Sequence, residues 1–179
     1  MSIREELLSD HMQSKEMALS VADYACSSQD RFEELMNCFM SNDDVLAKRA
    51  AWSVRWAAEK RPDLIQPNMS ILVRQLQRND VHDAVIRNSL SVLERNEIPE
   101  EFHGVVMDAC FGFVQNRKTP IAAKAFSLTI LFNFVKIYPE IQNELQIIIE
   151  ENIEFETAAF KSRGKKILAT FRKNQSKAL

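Results

Sequence analysis

A segment of about 38 residues recurs along this 179-residue chain, each copy placing a basic residue beside a small or apolar run inside a helical stretch. The copies read AKRAAWSV around Arg49, VIRNSLSV around Arg87, AAKAFSLT around Lys124 and KSRGKKIL around Arg163, so the anchors lie 38, 37 and 39 residues apart. A period of that length holds two helices and two short turns, and such units bury their apolar faces only by stacking on one another. The repeat predicts an all-α chain, a right-handed α-α superhelix of about nine helices. A stack of helix pairs supplies surface and carries no chemistry by itself.

Apolar residues at i, i+3, i+4 and i+7 mark the first helix of each pair. Phe32, Leu35, Met36 and Phe39 form one stripe, and Ile65, Met69, Leu72, Val73 and Leu76 a second. Phe102, Val105, Val106, Ala109, Cys110 and Phe113 form the third, and Ile141, Leu145, Ile148 and Ile149 the fourth. Pro62-Asp63, Pro99-Glu100 and Pro139-Glu140 start the last three. Proline in the first turn forfeits no hydrogen bond, and the adjacent carboxylate suits the positive end of the helix dipole. These marks predict a capping helix over 3–26 and repeats over about 30–60, 63–96, 99–138 and 139–174, one domain spanning 1–179, with every basic anchor on a second helix.

Composition narrows the functional classes. Residues 161–179 hold seven basic residues and no acid, which leaves 16 basic against 25 acidic residues in 1–160. An acidic body with a basic tail is a poor general nucleic-acid binder. The apolar stripe Ala158, Ala159, Phe160, Gly164, Ile167, Leu168 and Phe171 makes that tail a closing helix of the array. No stretch reaches the ~20 apolar residues of a membrane span, since Lys124, Asn133 and Lys136 interrupt the most apolar one. Arg4, Glu5, Glu6, Asp10 and Lys15 likewise break any signal-like run near the start. Cys26, Cys38 and Cys110 are odd in number and lack CxxC spacing, so they read as buried thiols of a reducing cytoplasm.

No catalytic constellation stands out. His11, His82 and His103 have no metal-ligand spacing, and Gly104, Gly112 and Gly164 form no phosphate loop. The expectation is no enzyme activity, no metal and no cofactor.

The segment FEELMNCFMSNDDVLAKRAAWSVRWAAE resembles the HEAT repeat, whose second helix opens with Asp and continues Val-Arg-x-x-Ala-Ala. The resemblance covers about residues 30–174 and implies a ladder in which an Asp six residues before the Arg links neighbouring repeats. Asp43 and Arg49 keep that spacing, whereas Val81, Lys118 and Thr157 replace the Asp in the later copies. The C-terminal half is also similar to small HEAT-like proteins of Bacteroidota, some bearing the name adenylosuccinate lyase. That activity implies a loop of the type Ser-Ser-x-Met-Pro-x-Lys-x-Asn, which this sequence does not contain.

In HEAT arrays the second helices line the concave side, so the resemblance implies a groove carrying Arg49, Trp52, Trp56, Arg87, Lys124 and Arg163. The partner expected there is a protein or peptide, bound by a cytoplasmic scaffold that is a monomer or weak dimer. Two other readings stay open. The apolar members can be interhelical packing with the cations reaching solvent past them. Alternatively, Trp52 and Trp56 beside Arg49 and Arg55 form a stacking platform for a nucleic acid.

Overall fold

The computed structural model describes residues 2–9 and 12–177. Among them there is no strand, and eleven α-helical segments form two compact units, Met1–Phe102 and His103–Leu179.

The first unit runs α1 (Ile3–Leu8), α2 (Lys15–Ala25), α3 (Gln29–Phe39), α4 (Asp44–Lys60), α5 (Pro62–Ile65), α6 (Met69–Leu76) and α7 (Asp83–Leu93). The second runs α8 (His103–Gln115), α9 (Ile121–Val135), α10 (Gln142–Asn152) and α11 (Ala158–Lys177).

Two expected helices are each divided, which accounts for eleven segments in place of nine. The opening helix expected over 3–26 is α1 and α2, because Ser14 caps α2 by accepting from the Met17 amide at 3.0 Å. A serine side chain offers the backbone a partner outside the helix and so favours a start over a continuation. His11 lies outside the described residues. The helix expected from Pro62 is α5 and α6, because Pro67 has no amide to give the Asp63 carbonyl. A 3-10 turn over Gln66–Asn68 joins the pieces.

The long central helix of the first unit is α4, which packs against α2, α3 and α7. Its buried face is rich in alanine (Ala47, Ala50, Ala51, Ala57 and Ala58), which lets the neighbouring helices approach closely. Phe32, Leu35, Met36 and Phe39 are buried against it as their spacing predicts.

In the second unit α9 holds the corresponding place among α8, α10 and α11. It is apolar all round and mostly buried, with Leu128, Ile130, Leu131 and Phe134 in the core. The α8 stripe is narrower than its sequence predicts: Val106, Cys110 and Val114 are buried, but Val105 is exposed and Phe113 half-exposed. Each helical step turns 100°, so the face that buries Val106 carries Val105 away.

Gly164 of α11 sits where that helix crosses α10. A Cβ there would stand 2.9 Å from Ile149 Cγ2, whereas one at Gly112 of α8 would meet nothing within 4 Å. Gly112→Ala is therefore expected to stabilise the protein by about 0.5–1 kcal/mol through helix propensity alone. Gly164→Ala meets an overpacking penalty of about 1–3 kcal/mol that cancels or reverses the same gain. Thermal melting of the two variants separates them, and an equal rise for both would show that α10 yields freely.

Candidate functional site

The four basic anchors occupy different environments, which corrects the expected row of solvated cations. Arg49 of α4 is only 7% exposed. Its Nη1 donates to the Leu7 carbonyl of α1 at 2.6 Å, while its own carbonyl accepts from Gln13 Nε2 at 2.9 Å. Lys124 of α9 is buried in an ion pair with Glu156, the two side chains being 4% and 12% exposed. Arg163 of α11 is half-buried, with Nη1 donating to the Ala125 carbonyl at 2.8 Å and to Thr129 Oγ1 at 2.5 Å. Its guanidinium also lies 5.2 Å from the Phe126 ring. Arg87 of α7 is the exposed member of the set.

Arg49 and Arg163 share one device. Each reaches back about one repeat and donates to a main-chain carbonyl, 42 and 38 residues earlier respectively. Charged donors make stronger hydrogen bonds than neutral ones, so a repeated arginine is an effective tie between successive helices. Asp43 serves as a cap instead, its Oδ1 accepting from the Val45 and Leu46 amides of α4 at 3.0 and 3.1 Å.

The two tryptophans diverge as well. Trp56 is half-buried, and Lys15 Nζ and Arg55 Cζ lie 5.2 and 4.6 Å from its ring. Trp52 lines a cavity of about 400 Å³ in the first unit together with Met12, Gln13, Val45, Lys48, Arg49, Ala84 and Arg87. That cavity therefore gathers Arg49, Trp52 and Arg87 from the expected set and leaves Trp56 out.

Sequence reading missed Met12, Val45 and Lys48. A signal existed, because Val45, Lys48 and Trp52 follow one another at i, i+3 and i+7 on α4. Counting the face from Arg49 started it one residue too late. In the second unit Lys124 lines a cavity of about 410 Å³ beside Arg117, Ile121 and Phe155, but Glu156 lies in the same wall and neutralises the lysine.

The three thiols are held protonated by burial, and the two described histidines are engaged in hydrogen bonds. Burial pushes the Cys110 thiol up to about 12, against a smaller opposite pull from a hydrogen bond with Ser127. Burial also raises the Cys26 and Cys38 thiols. His82 caps α7, its Nδ1 accepting from the Ala84 amide at 3.0 Å, and His103 Nδ1 lies 2.9 Å from the Tyr138 hydroxyl. Among the described residues no three of His, Cys, Asp and Glu come together in a way that could hold a metal ion.

The family model for the HEAT repeat domain matches residues 3–171. The chain belongs to the HEAT repeat family. No curated protein and no solved structure matches it. In this HEAT repeat chain α1 and α2 lie inside the matched span together with the later pairs, so the arginine tie from α4 to α1 is a bond within the array.

Proposed function

We propose that this HEAT repeat chain is a non-enzymatic cytoplasmic scaffold that binds a protein or peptide segment on the α4–α7 face of its first unit. The observation that carries the reading is the cavity there. Met12 is 84% and Val45 49% exposed, and both line it together with half-buried Trp52. Large apolar side chains gathered at a concavity rimmed by polar groups mark an interaction site. Family membership supports the scaffold part of the reading, since helical repeats present extended surfaces to partners.

A photo-crosslinking amino acid at Val45 tests it, with the same residue at exposed Asp30 of α3 as the control. Irradiation of living cells is expected to give an adduct of discrete mass from position 45 and none from position 30. Equal yields, or no adduct from either, would remove the proposal. An adduct that nuclease digests would replace the peptide with a nucleic acid.

A further inference from the structure

We infer that the segment held on this face is acidic, with Asp or Glu flanking a single apolar side chain, an inference that rests on the peptide-binding reading above. The balance of charges around the cavity carries it. Among the described residues of the first unit, four cations away from the cavity are held in ion pairs: Lys60 with Asp23, Arg61 with Asp63, Arg78 with Asp80 and Arg95 with Glu59. Lys48 and Arg87 are exposed at the cavity and make no ion pair or hydrogen bond among those residues. No Asp or Glu is among the described side chains that line the cavity. Both cations thus stay out of ion pairs, with Asp44 and Asp83 one turn earlier on their helices, in a body where acids outnumber bases, 25 to 16 over residues 1–160. A cationic rim beside an apolar wall attracts an anionic segment and sets its register.

Arg49 does not belong to the docking charges, because its guanidinium is engaged by the Leu7 carbonyl. It fixes the wall against which a ligand would lie. Val45 to Trp52 spans about 10 Å along α4 at 1.5 Å per residue, the reach of about three residues of extended chain. An apolar side chain can thus enter between Met12, Val45 and Trp52 while an acidic neighbour one or two positions away meets Lys48 or Arg87. A nucleic-acid backbone would instead bring continuous charge onto an apolar rim and an acidic body.

The test is selection of a phage-displayed library of random dodecapeptides on the immobilised full chain. Synthetic copies of the recovered peptides are then titrated against tryptophan emission. Expected are sequences with acids around one apolar residue, binding weakened at least tenfold by Arg87→Glu and by Lys48→Glu, and weakened by added salt. Arg87→Gln should show an intermediate loss, melting temperatures should stay unchanged, and Trp52→Phe should abolish the emission change. Recovery of neutral or basic peptides, or indifference to both charge reversals, would overturn acidity while the Val45 adduct still upheld peptide binding. If no peptide is recovered and no adduct forms, both readings fall. Displacement of the selected peptide by single-stranded DNA at low salt would overturn the inference in favour of a nucleic acid.

Discussion

Arg49→Glu is expected to destabilise the first unit by about 3–5 kcal/mol, the cost of breaking a buried charged interaction and leaving its partner exposed to the wrong charge. The substitution places a carboxylate against the Leu7 carbonyl, where the guanidinium now donates at 2.6 Å. Two acceptors then face each other with no donor between them. Ile3 and Leu7 of α1 are fully buried, and the Ile3 amide donates to Glu34 Oε1 at 2.8 Å, so loosening α1 opens the unit's end. Arg87→Glu alters an exposed cation and is expected to change stability by less than about 0.5 kcal/mol. Thermal melting of the pair decides between tie and groove for Arg49. Unchanged melting of Arg49→Glu would mean that the bond to α1 contributes nothing and would return Arg49 to the docking surface.

Deletion of residues 157–179 is expected to unfold or aggregate the second unit. The missing helix buries Phe160, Ile167, Leu168 and Phe171. At about 1.5–3 kcal/mol for each buried apolar side chain, four such losses rival the 5–15 kcal/mol that hold a whole domain together. The Phe171 ring lies 5.8 Å from that of Phe132, and Arg163 ties the same helix to α9. Size-exclusion chromatography and circular dichroism of the truncated chain test this, and Phe171→Ala, at about 3–5 kcal/mol, gives a milder version. A truncated chain that remains soluble and equally stable, yet no longer captures a partner, would make the basic segment a binding arm.

Those two expectations come from different levels of information. The closing helix was legible in the sequence because its stripe repeats at helical spacing, and the structure buries Phe160, Gly164, Ile167, Leu168 and Phe171, leaving Ala158 and Ala159 outside. Arg49 was legible only as a member of a repeat. Its spacing from Arg87, Lys124 and Arg163 is identical in kind, yet one of the four is exposed, one is half-buried and two are buried.

The sequence by itself determined the helical-repeat architecture, since amphipathic period, proline starts and repeat length are local properties that each segment carries alone. It also marked Trp52 and Arg87 as surface candidates. Only the tertiary structure decided which cations are ties and which are free. That outcome depends on whether a carbonyl such as Leu7 or Ala125, or a carboxylate such as Glu156, comes within hydrogen-bonding reach from a segment 32 to 42 residues away. A long cationic side chain satisfies a buried acceptor or reaches solvent with the same local sequence around it, because its burial is set by the neighbouring helix.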